Sequence, residues 1–137
     1  MPKRASLILI NEHREVLLIE RVKGDRHYWV FPGGSAEDGE VLSEAAKREA
    51  LEETSIELTS LTPVFQIQNQ GRKDHYFLSH IGTATPTLGN GPEQQRQSAS
   101  NQYILRWVNF TELAVLPLFP VEAKQICLQN EEVFFGR

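Results

Sequence analysis

Glu49, Glu52 and Glu53 crowd into the stretch LSEAAKREALEET, a short way after a corner made of Pro32, Gly33 and Gly34. Carboxylates packed this closely either face solvent or hold a cation. The run from about Leu42 to Thr54 is rich in Ala, Glu, Leu, Lys and Arg, which predicts a helix. With Leu42 at zero and roughly 100° per residue, Ala46 and Ala45 fall near roughly 40° and 300° and mark an apolar side. Glu53 and Glu49 then fall near roughly 20° and 340°, inside that side, and Glu52 near roughly 280°, on its border. Glu44 and Lys47 point elsewhere. Like charges at i and i+4 repel, and a buried carboxylate without a counter-charge is costly. Arg48 can reach Glu52 or Glu40, and Lys47 is on the wrong face, so nearby basic residues are too few. A bound divalent cation resolves the conflict. All-oxygen ligands favour Mg²⁺ or Mn²⁺ over zinc. His13, His27, His75 and His80 are scattered and Cys127 is alone, so no nitrogen or sulfur cluster competes. Gly33 and Gly34 permit backbone angles that other residues avoid, so they can carry the chain close past a ligand and aim a carbonyl or amide at it. A Gly-Gly corner alone is more often only a turn; its place directly before a carboxylate helix gives it weight.

Strands must present that helix. Ala5 to Ile10 and Val16 to Val22 read as a hairpin around Asn11 to Glu15, although the turn lacks an Asn-Gly or Asp-Gly pair. Tyr28 to Phe31 is a short strand halted by Pro32. Val64 to Gln68 and His75 to Ile81 are strands joined by a polar link with Gly71, and Tyr103 to Val108 is another. Thr85 to Asn101, with its Pro, Gly and polar residues, reads as loop. Ser43 is a candidate cap for the acidic helix. Thr111 is a candidate cap for a short helix at Glu112 to Val115. Pro120 fits the first turn of a last helix ending near Gln129. Strands, a helix, more strands and terminal helices give an α+β fold with helices packed on a mixed sheet.

The pattern resembles the Nudix box of the Nudix hydrolases. Gly34 takes its first position, Glu40 follows after five residues, Arg48 and Glu49 after seven more, then Glu52 and Glu53, and Ile56 closes it. Trp29-Val30-Phe31-Pro32-Gly33 is similar to the family's entry into the motif. Ala50 stands where a larger aliphatic residue is usual, and Ser55 where the family has a Gly that eases a left-handed turn; no charged position departs. The resemblance implies an α/β/α sandwich around a central mixed sheet. It implies hydrolysis of a nucleoside diphosphate linked to another group, such as a nucleotide triphosphate, dinucleoside polyphosphate, nucleotide sugar or ADP-ribose. It makes Glu49 and Glu53 the principal metal ligands and Glu52 a further ligand or water-positioning group. Gly33 offers a carbonyl to the metal, Gly34 brings the backbone close to substrate, and Glu40 with Arg48 orients the helix. Glu52 and Glu53 are candidates for general base. Arg21, beyond the second strand, is a candidate phosphate contact, with an exposed strand-end arginine as the equal alternative. Tyr28 and Tyr76 suit base stacking or packing, Trp29 and Trp107 core. The Thr85 to Asn101 loop, with Arg96, either covers ligand or merely connects. A catalytically silent nucleotide-sensing module of the same fold and an interaction domain with a solvated acidic helix are the rival readings.

The bulk properties agree with a single domain over residues 1–137. A net charge of −4 does not advertise a nucleic-acid surface. The apolar run Leu7 to Ile10 is too short for a membrane span or a signal segment. One cysteine allows no internal disulfide, so a reducing cytoplasmic location is the simplest expectation. A homodimer is compatible with the family.

Overall fold

The computed structural model describes residues 2–82, 98 and 100–135. Its strands are β1 (Lys3–Asn11), β2 (Glu15–Lys23), β3 (Arg26–Val30), β4 (Gly33–Ser35), β5 (Thr62–Asn69), β6 (Arg72–Gly82), β7 (Asn101–Asn109) and β8 (Leu118–Phe119). The helices are α1 (Leu42–Thr54), α2 (Val121–Gln129) and α3 (Glu131–Phe135), with a 3₁₀ turn at Phe110–Val115. The strands form one sheet in the order β5-β6-β1-β2-β3-β8, with β4 joined to β1 and β7 to β2. β1 pairs in parallel with β6, and β3 with β8; the remaining pairs are antiparallel. The sheet is therefore mixed, with helices on both faces, as expected.

β1 is apolar on both faces because both are covered. Leu7 and Leu9, with Leu17 of β2, pack against Ala45, Ala46 and Ala50 of α1. Ile8 and Ile10, with Val16 and Leu18, pack in a second core with Leu113, Ala123, Cys127 and Phe134. Trp29 and Trp107 lie half-buried against these two cores. Cys127 is 0% exposed, and burial pushes its thiol up to about 12.

The expected hairpin is present, but β1 and β2 share only the pair Ile10↔Val16. Its turn is fastened by a side chain: Asn11 Oδ1 accepts the amides of His13 (2.9 Å) and Glu15 (3.0 Å). Beyond that pair the strands part. β2 goes on to pair with β3 and β7, while the far end of β1, Arg4 to Ser6, pairs with β4. The Pro32 corner crosses between the two arms and is tied to β1 by the Leu7 amide, which donates to the Pro32 carbonyl at 2.8 Å.

Helix ends differ from expectation in three places. Ser43 is not the cap of α1: Val41 holds that position without a side-chain bond, and Ser43 already lies in the first turn. Thr111 does not cap the 3₁₀ turn; Asn109 does, its Oδ1 accepting the Thr111 amide at 3.1 Å and the Thr111 hydroxyl at 2.8 Å. Pro120 precedes α2 as its N-cap instead of entering the first turn. The short β4, β8 and α3 carry too little periodicity to be read from sequence. Most of the expected Thr85 to Asn101 loop, including Arg96, lies outside the described residues; Ser98 bridges to Asn101, which opens β7.

α1 ends on Ser55 at φ 63° and ψ 18°, its amide donating to Leu51 O at 3.0 Å. A side chain in this left-handed region costs about 1–2 kcal/mol, which glycine avoids while losing about 0.5–1 kcal/mol of chain entropy. Ser55→Gly should therefore raise the melting temperature by about 2–4 °C, checked by calorimetry; a lower value would show that Ser55 is favoured here by a contact beyond its backbone.

Candidate active site

The site is built where α1 passes the corner. Glu49 and Glu53 are 8% and 4% exposed, so the inward face expected for both is observed, and Glu52 is half-buried beside them. Gly34 is what allows Glu49 its place: a Cβ there would overlap the Glu49 carboxylate. Gly33, at φ +148°, lies so close to β1 that a Cβ would collide with the Ala5 carbonyl and Ser6 Cα. The two glycines thus press a bare backbone between β1 and the carboxylates.

Arg48 organises the acidic groups more fully than the sequence suggests. Its Nε and Nη2 bind Glu40 side-on at 2.9 and 3.0 Å. Nη1 reaches Glu49 at 2.9 Å and Glu52 at 3.3 Å, and Nη2 also donates to the Ser35 carbonyl at 3.1 Å. Glu37 lies 3.5 Å from Nε. Both expected partners of Arg48, Glu40 and Glu52, are engaged, and Glu49 is a third that the sequence reading did not include. The bond to Arg48, then the Glu37 amide, hold the Glu40 carboxyl down at about 2, while the bond to Glu40, with the charges of Glu49 and Glu40 and the bond to Glu52, raises Arg48. The pairing of Glu40 with Arg48 that fixes the helix to the preceding loop is observed.

Among the described residues no three Asp, Glu, His or Cys side chains gather about one point to form a ready cage for an ion. Glu49 and Glu52 turn instead to the Arg48 guanidinium. The donor set still suits a hard divalent cation. It offers only oxygen, from buried carboxylates one turn apart on α1 and from the backbone of Gly33 and Gly34.

Glu53 also faces a cavity of about 490 Å³ that fills the gap between the parted arms of β1 and β2. One wall carries Arg4, Ser6, Asp74 and Tyr76, the other Ile19, Arg21, Tyr28 and Tyr103. Arg21 is not an exposed strand-end residue: it is 6% exposed. Register sets it between Tyr28 of β3 and Tyr103 of β7, with its guanidinium 3.6 Å from the Tyr103 ring centre. Its Nη1 donates to Gln102 O at 2.7 Å and Asn101 Oδ1 at 3.0 Å. Tyr76 is 1% exposed and stacked on Phe65, so it packs as well as lining the cavity. Sequence reasoning missed Arg4, Arg26, Arg72 and Asp74, which line the same space. The available signal was polar residues at alternate strand positions, Arg4 with Ser6 and Arg72 with Asp74, which places each pair on one face.

A mixed sheet between helices, with a glycine corner feeding a carboxylate helix beside a cation-rich cavity, defines a Nudix pyrophosphohydrolase. The NUDIX domain family matches residues 1–129, and the chain belongs to it. It is 34% identical over 119 residues to a Bacillus subtilis (strain 168) protein provisionally named an 8-oxo-dGTP diphosphatase, covering 85% of this chain and 70% of that one. A Caenorhabditis elegans Ap4A hydrolase in a binary complex shares the fold over 100% of both chains, with a TM-score of 0.72 at 19% identity. A MutT protein from Bacillus halodurans matches with a TM-score of 0.67 at 26% identity, over 92% of this chain and 79% of that one. No helix among the described residues is long and apolar enough to cross a membrane.

Two outcomes follow from the clamp and the corner. Glu40 is depressed from 4.5 to about 2, so its contribution to stability is complete above 4.5 and is lost as pH falls through about 2. Wild type should melt above Glu40→Gln at neutral pH, and the gap should close over that acid range; a gap unchanged at low pH would show that packing, not charge, is at stake. Gly34→Ala should keep the fold yet displace Glu49 and reduce turnover about 100-fold or more, measured beside the circular dichroism spectrum.

Proposed function

We propose that this chain is a Mg²⁺-dependent hydrolase, with Mn²⁺ as a substitute, that cleaves a diphosphate linkage in a nucleoside diphosphate joined to another group. The observation that carries this reading is the placement of Glu53, from the carboxylate helix, on the wall of a cavity that also holds Arg4, Arg21 and Arg26. A site for metal-neutralised phosphate and a site for anionic substrate are then one continuous space.

Glu49 and Glu53, with Glu52 and the Gly33 carbonyl, would hold the ion. When bound, it neutralises phosphate charge and lowers the pKa of water. Arg21, fixed by Asn101 and Gln102 and backed by Tyr103, takes a phosphate oxygen. Arg4, whose Nε donates to Ser6 Oγ at 3.1 Å and Nη2 to Phe31 O at 3.3 Å, steadies the same charge from the other wall. Glu52 or Glu53 accepts the proton of the attacking water. The new bond joins water oxygen to phosphorus, and the bridging P–O bond breaks with its electrons on the leaving phosphate. Arg48 acts at one remove by keeping Glu49 and Glu52 aligned, and Glu40 keeps Arg48 aligned.

The test is turnover of nucleoside triphosphates, a dinucleoside polyphosphate, a nucleotide sugar and ADP-ribose with Mg²⁺, with product identification. Turnover of none would overturn the reading. Glu53→Gln should lose more than the roughly 100-fold typical of groups outside the ligand shell, with an unchanged fold. Mg²⁺ at about 100 times its Kd should stabilise wild type by about 2.7 kcal/mol at neutral pH and less in acid, where protons compete for the carboxylates. The double variant Glu49→Gln, Glu53→Gln should show no such shift; an equal shift would place the ion elsewhere.

A further inference from the structure

Four guanidinium groups line the cavity, and they are not equivalent. Among the described residues, Arg4, Arg21 and Arg26 make no ion pair with a carboxylate. Arg4 binds a hydroxyl and a carbonyl, Arg21 an amide oxygen and a carbonyl, and Arg26 lies 4.7 Å from the Tyr28 ring centre. These three keep their full positive charge for phosphate. Arg72 is different. Asp74, 1% exposed, takes its Nε at 2.6 Å and its Nη2 at 3.2 Å. Asn69 Nδ2 donates to the same carboxylate at 3.1 Å, closing the group across the turn between β5 and β6.

A bidentate carboxylate cancels the charge of Arg72 and fixes the plane of its guanidinium. It occupies one edge, Nε with Nη2. The other edge, Nη1 with the second Nη2 hydrogen, meets no other acceptor among the described residues. What remains is a rigid, nearly neutral pair of parallel donors. Such a pair is poorly suited to phosphate, for which charge is what counts, and well suited to two adjacent neutral acceptors. Guanine presents that pair at O6 and N7. Adenine offers an acceptor and a donor there, and oxidation at C8 turns the guanine N7 into a donor. The cavity also carries the aromatic side chains of Tyr28 and Phe119, whose ring centres lie 6.3 Å apart, as apolar surface for a base.

We propose that Arg72, locked by Asp74 and Asn69, is the base-reading residue of this site and selects an unoxidised guanine nucleotide. The inference rests on the function proposed above, which supplies the phosphate end of the ligand. It separates this chain from what the name of its Bacillus subtilis relative says of that protein.

Binding and turnover test it separately. Calorimetric binding in EDTA, where no hydrolysis is expected, would compare GTP with 7-deaza-GTP, ATP and 8-oxo-GTP on wild type. GTP should bind about 5- to 150-fold more tightly than each of the others. Arg72→Lys, which keeps a charge and loses the fork, should bind GTP and 7-deaza-GTP equally at a temperature well below its own melting point. The wild-type comparison needs no variant, so a folding defect cannot hide the answer. Equal affinity of wild type for GTP and 7-deaza-GTP, tighter binding of 8-oxo-GTP, or no nucleotide binding at millimolar concentration would each overturn the proposal. Selective GTP binding without Mg²⁺-dependent turnover of any compound would leave Arg72 as a base reader and overturn the hydrolase reading alone.

Discussion

β1 and β2 hold together at one residue pair and then separate, and the rest of the molecule follows from that separation. An ordinary hairpin would have continued pairing and left a closed sheet. Here the Asn11 side chain fastens the turn, Ile10 meets Val16, and beyond them each strand finds other partners. β1 gains the parallel β6 and the short β4, while β2 gains β3 and β7. The opening between the arms becomes the cavity, and Phe31 and Gly33 of the crossing segment line it. Strand polar groups that a flat sheet would expose to solvent instead face each other across a shared space.

The second constraint is electrostatic. Buried carboxylates on one helix face are tolerable only with positive charge beside them. Arg48 supplies it from the same helix, and through Glu40 it ties that helix to the loop before it. One side chain therefore sets both the orientation of α1 and the alignment of its acidic groups. The ion expected in the working enzyme would share this task, and the carboxylates would redistribute between a fixed cation and an exchangeable one. Because Arg48 binds Glu40 side-on through two bonds, the helix is anchored to the preceding loop independently of the contacts to Glu49 and Glu52.

The acidic helix was legible because helical geometry converts sequence spacing directly into direction. Leu42 to Thr54 is observed as expected, and the inward placement of Glu49 and Glu53 followed from angles alone. The apolar runs of β1 and β2 were equally clear. Three features were not. The capping roles of Val41 and Asn109 depend on backbone angles, which Ser43 and Thr111 do not reveal by composition. The reach of Arg48 to Glu40 depends on how a loop folds back over eight residues. The arginine-rich cavity joins strands far apart in the chain, so Arg4, Arg21 and Arg72 become neighbours only through sheet order. Local periodicity carried the acidic helix; long-range pairing hid the arginine-lined cavity.

Cys127 has a practical corollary. It sits at zero exposure on the inward face of α2, with a thiol that burial pushes up to about 12. Thiolate, not thiol, reacts with maleimides and iodoacetamides. The folded protein is therefore silent toward such reagents as it stands. A cysteine introduced on an exposed strand or helix would become the single addressable point for a fluorophore or spin label, with no need to delete the native residue and disturb the core around it.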